Sequence, residues 1–124
     1  MILITGGCCQ GKLDYAKTRF GLTDGDICLG GVDFSKRCLA YVERYALEAV
    51  KHGEEPADIF RANADRMKQS IVITTDISGG IVPMDPVLRA WREACGRMNT
   101  DLAARADEVW RLFCGIPQRL RGGR

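Results

Sequence analysis

The sequence predicts an α/β domain, a mostly parallel sheet flanked by helices, in a single small unit of 124 residues. Three observations predict it. The opening run Met1-Ile2-Leu3-Ile4-Thr5 is short, apolar and partly β-branched, and it feeds a glycine-rich turn, Gly6-Gly7-Cys8-Cys9-Gln10-Gly11-Lys12. The run Ser70-Ile71-Val72-Ile73-Thr74-Thr75 is β-branched almost throughout and apolar enough for burial on both faces. Amphipathic stretches of helical spacing lie between and after these runs. A strand, a glycine turn ending in Gly-Lys and then a helix make the sheet P-loop-type.

Each element has its own warrant. Residues 1–5 read as a buried strand. Lys12 to Arg19 reads as a helix closed by Phe20-Gly21, with Gly21 in the left-handed position past its end. Residues 22–34 read as loop, with room for a short strand at Ile27-Cys28-Leu29. Ser35 caps a long helix that turns Leu39, Val42, Tyr45, Ala46, Ala49 and Val50 inward and ends near His52-Gly53. Pro56 starts another helix, with Ile59, Phe60, Ala64 and Met67 inward. Residues 70–75 are the clearest strand. Asp76 to Asp85 is loop, and Asp85-Pro86 pairs an N-cap with a proline at the first helical position. The helix that follows buries Val87, Leu88, Trp91, Cys95 and Met98, and runs through Leu102, Ala103 and Ala106 with a kink expected at Gly96. Residues 109–114 read as the last strand. Arg119, Arg121 and Arg124, with Gly122 and Gly123, read as a solvated basic tail. Right-handed crossovers bring the loops after residues 1–5 and 70–75 to one sheet edge, so Lys12 and Asp76 are expected to face one cleft.

Composition narrows the function classes. With 46% hydrophobic and 27% charged residues a core forms and disorder is excluded. A net charge of +2 is too small to argue for nucleic acid or an anionic membrane. No run reaches the ~20 apolar residues that span a bilayer. The start lacks a basic, then long apolar, leader, so a cytoplasmic location is expected. The six cysteines form no C-x2-C pair, and His52 is the lone histidine, so a zinc cluster is not indicated. Cys28, Cys38, Cys95 and Cys114 read as small core residues. Cys8 and Cys9 lie in the loop, where nearby amides favour thiolate and sensitivity to oxidation.

The chemistry is concentrated in the first loop. Gly6, Gly7, Cys8, Cys9, Gln10, Gly11, Lys12 and Leu13 occupy the positions of a nucleotide phosphate loop. Main-chain N–H groups of such a turn converge on one anion, and the lysine adds charge. The template ends in Ser or Thr, whose hydroxyl helps to hold Mg2+; here Leu13 stands there. Asp76, just past a β-branched strand, stands where an acidic residue directs Mg2+ or the acceptor, and a loop-capping aspartate is the competing reading. Asp24, Asp26 and Asp33 are further acidic residues in a loop beside the first, and read equally as turn formers. Arg89 and Arg92, three apart on one helix face, would clamp an anion or pair with neighbouring acids. His52, before Gly53, reads as a helix C-terminal cap.

Downstream the text becomes specific. Thr75-Asp76-Ile77-Ser78-Gly79-Gly80-Ile81-Val82-Pro83 resembles the Asn-Glu-Val-Gly-x-Gly-Ile-Val-Pro signature of the bifunctional adenosylcobinamide kinase/adenosylcobinamide-phosphate guanylyltransferase family of cobalamin biosynthesis. Arg89-Ala90-Trp91-Arg92-Glu93, Gly96-Arg97-Met98-Asn99 with Leu102-Ala103, Ala106-Asp107-Glu108-Val109 and Gly115-Ile116-Pro117 follow that family in order, and Ile4-Thr5-Gly6-Gly7 resembles its opening. The resemblance implies a P-loop α/β fold, a homo-oligomer, ATP or GTP with Mg2+, and an adenosylcobinamide-like corrinoid acceptor. It implies phosphorylation of a hydroxyl on the acceptor's aminopropanol arm, then GMP transfer through a guanylylated histidine. His52 is the one residue available for that last role. Departures stand beside it: Leu13 and Gln10 replace two hydroxyls, Asp76 is a methylene shorter than the family's Glu, and the middle of the chain is shortened.

Two readings follow. In the first the chain is a transferase: Lys12 stabilises the moving phosphoryl group and Asp76 directs Mg2+ or the acceptor. In the second it is a catalytically impaired nucleotide-binding partner or regulator of corrinoid metabolism.

Overall fold

The computed structural model describes residues 1–79 and 83–122. Its elements are β1 (Ile2–Gly6), α1 (Lys12–Phe20), β2 (Ile27–Leu29), β3 (Cys38–Ala40), α2 (Val42–Lys51), α3 (Pro56–Ala62), β4 (Ile71–Ile73), α4 (Pro86–Arg105), β5 (Glu108–Phe113) and β6 (Ile116–Arg121), with single 3-10 turns at Asp24–Asp26 and Ala64–Met67. One six-stranded sheet runs β2-β3-β4-β1-β5-β6. All its pairings are parallel except β5 with β6. The α/β, mostly parallel architecture expected from the sequence is therefore the one found.

The two-residue period of the strands divides the core. Leu3, Leu39, Val72 and Val109 point to one face, under Val42 and Ala46 of α2, Phe60 of α3, and Cys95, Met98 and Leu102 of α4. Ile4, Cys38, Ala40, Ile71, Ile73 and Leu112 point to the other, against Ala16 of α1 and Leu22. Central strands buried on both sides explain the unbroken apolar text of residues 71–73.

Several boundaries moved. Ser35 caps no helix: residues 38–40 form β3, buried throughout, and α2 begins only at Val42. Apolar residues at helical spacing there served two elements, with Tyr41 turning between them at φ 59°. The helix expected from Pro56 through Met67 breaks at Asn63, and Ala64–Met67 continue as a 3-10 turn. The basic tail is not solvated coil: Arg119 and Arg121 lie in β6, opposite Trp110 and Val109. Gly123 and Arg124 lie outside the described residues. Cys114, expected in the core, is exposed in the β5–β6 turn. Val87 and Leu88, expected inward, are largely exposed on the first turn of α4. The Asp85 cap is present: its carboxylate accepts from the Val87 N–H at 2.8 Å. α4 continues unbroken through Gly96.

Candidate functional site

The loops after β1, β3 and β4 meet at the carboxyl ends of the parallel strands, where such sheets bind ligands. The first of these, residues 7–11, departs from a regular path at two points. Cys9 has φ 60° and Gly11 has φ 86°, both left-handed, within a run leading into α1. Successive turns of this kind make a concave nest of N–H groups. Among the described residues, none of the main-chain N–H groups of residues 7–12 is donated to a protein acceptor. Gly6 has its own steric reason: a methyl group there would meet the Leu112 carbonyl oxygen at 2.5 Å.

Lys12 opens α1 and is 4% exposed. Its Nζ donates to the Gly7 carbonyl at 2.6 Å, so the ammonium lies across the loop. Burial pulls its pKa down from the ordinary 10.5, and the Glu43 carboxylate opposes that shift. Gln10 ties the loop to the β5–β6 turn: its Oε1 accepts from the Cys114 N–H, and its carbonyl accepts from the Gly115 N–H at 3.1 Å. The template hydroxyl lost at Gln10 is thus replaced by an anchor. Cys8 and Cys9 are exposed with their sulfurs 3.4 Å apart, and the contact with Cys8 pushes the Cys9 thiol pKa up.

These residues line a cleft of about 480 Å3 that also includes Leu13, Tyr41, Glu43 and Thr75. Glu43 is the residue the sequence reading missed. It is 6% exposed, and its Oε1 accepts from the Thr75 N–H at 2.8 Å. Its own carbonyl accepts from Trp91 Nε1 at 2.7 Å. Reading residues 35–51 as one helix hid it, because the strand-to-helix break at Tyr41 is what swings Glu43 over the sheet end.

Asp76 does not line that cleft. It lines an adjoining cavity of about 250 Å3 with Thr5, Ser78, Arg92, Gly96 and Asn99. The Asp76 N–H donates to the Gly6 carbonyl at 2.8 Å, and its carboxylate accepts from the Ser78 N–H at 2.9 Å and hydroxyl at 2.5 Å. Those bonds lower its pKa, helped by Arg111 and Arg92. Arg92 donates to the Ser78 carbonyl. Thr74 reaches Asn99 at 2.9 Å beneath this cavity. The expectation of one cleft shared by Lys12 and Asp76 is thus replaced by two neighbouring cavities. Gly80, Ile81 and Val82 of the signature lie outside the described residues.

The remaining candidates sit elsewhere. Arg89 is exposed, and it lines neither cavity among the described residues. His52 is exposed at the end of α2, its Nδ1 2.8 Å from the Glu48 carbonyl, and lines neither cavity. Asp24 pairs with Lys17 of α1, Asp26 accepts from Thr23 and pairs with Arg37, and Asp33 accepts from Ser35 within its own turn.

A family model described as cobinamide kinase / cobinamide phosphate guanyltransferase matches residues 36–120. The chain belongs to this family. The bifunctional adenosylcobalamin biosynthesis protein CobU of Salmonella typhimurium is 39% identical over 51 residues, covering 41% of this chain and 28% of that protein. The protein of the same name from Escherichia coli is 37% identical over a stretch of the same coverage. The aligned stretch thus spans little more than a quarter of the curated relatives. The family match begins after the glycine loop of residues 6–12. Membership therefore rests on residues 36–120, which include Asp76, Arg92 and Asn99, and the loop stands on its own geometry. Among the described residues no helix is long and apolar enough to cross a membrane.

Proposed function

We propose that the chain binds a nucleoside triphosphate in the Lys12 cleft and transfers its terminal phosphoryl group to a hydroxyl of an adenosylcobinamide-like corrinoid, the kinase step of cobalamin biosynthesis. The observation that carries this is the loop: main-chain N–H groups of residues 7–12 that meet no protein acceptor among the described residues, beside a buried lysine. Family membership supports a cobinamide-like acceptor.

The acceptor hydroxyl oxygen attacks the terminal phosphorus, the bond from that phosphorus to the bridging oxygen breaks, the nucleoside diphosphate leaves, and the hydroxyl proton passes to water. Lys12 and the loop amides hold the negative charge that spreads over the phosphoryl oxygens. On entry of phosphate, Lys12 exchanges the Gly7 carbonyl for a phosphate oxygen. Mg2+ would supply charge neutralisation between phosphate oxygens. Leu13 offers it no oxygen, whereas the Glu43 and Asp76 carboxylates are hard donors of the right kind. The Asp76 cavity, with Arg92 and Asn99, is the acceptor side, and Arg92 would meet an anionic group there. Arg89, at the outer end of the same helix, has no role in this reading. His52 stands apart from both cavities, and guanylyl transfer through it is not part of the proposal.

One observation favours a second reading, a nucleotide-binding partner without transfer: Leu13 removes the loop's hydroxyl to the metal. Labelled ATP or GTP, Mg2+ and adenosylcobinamide separate the two. Label on the corrinoid supports the kinase. Nucleotide-dependent thermal stabilisation without transfer supports the partner, because a ligand that binds only the folded state raises its stability. No stabilisation by nucleotide or phosphate defeats both. We also propose a homo-oligomer, from exposed Phe113, Ile116 and Leu120 at the β6 edge. A single-chain mass by light scattering would count against that.

A further inference from the structure

We propose that Glu43 is the protein's carboxylate for the divalent cation that accompanies the nucleotide phosphates, standing in for the hydroxyl that Leu13 lacks. The proposal rests on the nucleotide reading of the Lys12 cleft and names which residue completes it.

Glu43 is the buried carboxylate of the Lys12 cleft, whose lining also holds Arg44 and the exposed Asp14. Among the described residues its side chain has one hydrogen-bond partner, the Thr75 N–H on Oε1, which leaves Oε2 without one. Its electrostatic partner is Lys12. When phosphate arrives, Lys12 is drawn to the phosphate oxygens, and Glu43 is left facing a polyanion at low local dielectric. Like charges there repel strongly. A divalent cation bridging carboxylate and phosphate turns that repulsion into attraction. Position fits this role. Tyr41 breaks the chain between β3 and α2, so Glu43 sits in the first turn of α2 at the carboxyl end of the sheet. Thr75, in the loop just past β4, and Trp91 on α4 fix it from two sides.

Asp76 is the less suited carboxylate. It is exposed, opens on the adjoining cavity, is held by Ser78, and already faces the charges of Arg111 and Arg92.

Glu43→Gln keeps an oxygen for the Thr75 N–H and removes the charge. The probe is ATP, titrated with Mg2+ and again with EDTA, read by calorimetry and thermal shift. In wild-type protein Mg2+ is expected to tighten ATP on the order of tenfold or more, within the usual range for coupled ligands. In Glu43→Gln that ratio falls to about twofold or less, and metal-free ATP binds more tightly than to wild type, as expected when a repelling charge is removed. Asp76→Asn keeps the wild-type ratio. A Glu43→Gln protein with the full Mg2+ effect, or an effect lost in Asp76→Asn instead, overturns the assignment. A second measurement needs no variant. In ATP-bound wild type, Mg2+ should shift the NMR signal of the Thr75 amide, bonded to Glu43, more than that of the Ser78 amide, bonded to Asp76; the reverse order overturns it. If ATP binds under neither condition, the nucleotide reading itself has failed and this assignment goes with it.

Discussion

At the scale of single residues, the site turns on one buried cation. Lys12 is held in the interior by the Gly7 carbonyl and the Glu43 charge, and desolvation lowers its pKa. Two outcomes follow. Lys12→Met keeps most of the aliphatic stem and removes the charge. Nucleotide affinity should fall roughly 10–100-fold, the worth of a hydrogen bond to a charged group, about 1.5–3 kcal/mol, read by calorimetry. The pH dependence has a definite sign. A lysine whose folded pKa lies below 10.5 loses its proton earlier as pH rises, so anion affinity should decline on the alkaline side before that value is reached. Lys12→Arg should hold its affinity over the same range, because a guanidinium does not titrate there. The place of Lys12 across the glycine loop was legible from the sequence because the spacing Gly6-x4-Gly11-Lys12 falls between a strand and a helix. Glu43 was not. A glutamate in an amphipathic run looks like a solvated face, and only the break at Tyr41 turns it inward. Asp76 was found by its position after a strand, but its hydrogen bonds to Ser78 depend on a local turn that spacing alone does not specify.

At the scale of elements, burial and capping make separable contributions. Phe60 is the largest fully buried side chain and meets Phe34 and Tyr45 edge-on under the sheet. Phe60→Ala should cost about 3–5 kcal/mol of unfolding free energy. The α4 cap is worth less: Asp85→Ala removes one acceptor for the Val87 N–H and should cost about 0.5–2 kcal/mol. Urea unfolding of both proteins, at unchanged slope, checks the order; a larger loss at Asp85 would mean that the loop before α4 is held by that carboxylate. What was readable here followed the strength of local signals. The strands at residues 2–6 and 71–73, and the start of α4 at Pro86, were legible because central parallel strands are apolar on both faces and Asp-Pro fixes a helix start. β3 was hidden because a three-residue strand has less than two periods in which to show alternation, and its apolar residues run on into those of α2. β6 was hidden because an edge strand exposed along its length carries no buried face. Its true signal is the Cys114-Gly115 turn, with φ 51° and 75°, the paired left-handed geometry of a two-residue hairpin.

At the scale of the whole molecule, that hairpin joins the far edge of the sheet to the glycine loop of residues 6–12. Gln10 meets both residues of the β5–β6 turn, so stability and site geometry are coupled through two hydrogen bonds to one residue. Acid is a probe that reaches both. Asp26, Asp33 and Asp76 each accept hydrogen bonds from a nearby N–H and hydroxyl, and each has its pKa held below the ordinary 3.8. The sign is fixed by linkage: a carboxylate more acidic in the folded chain contributes stability above the unfolded pKa, and that contribution is lost as pH falls through the folded one. Urea midpoints should therefore be nearly level from about pH 7 to pH 5 and drop below about pH 4. Asp33→Asn should flatten the acid limb without moving ATP affinity, because Asp33 closes its own turn with Ser35. Asp76→Asn should flatten it and also weaken the acceptor side, because Asp76 sits where β4 meets β1 and beside Arg92. If both variants changed the acid limb alone, the Asp76 cavity would be a structural turn, and the acceptor would have to be sought in the Lys12 cleft instead.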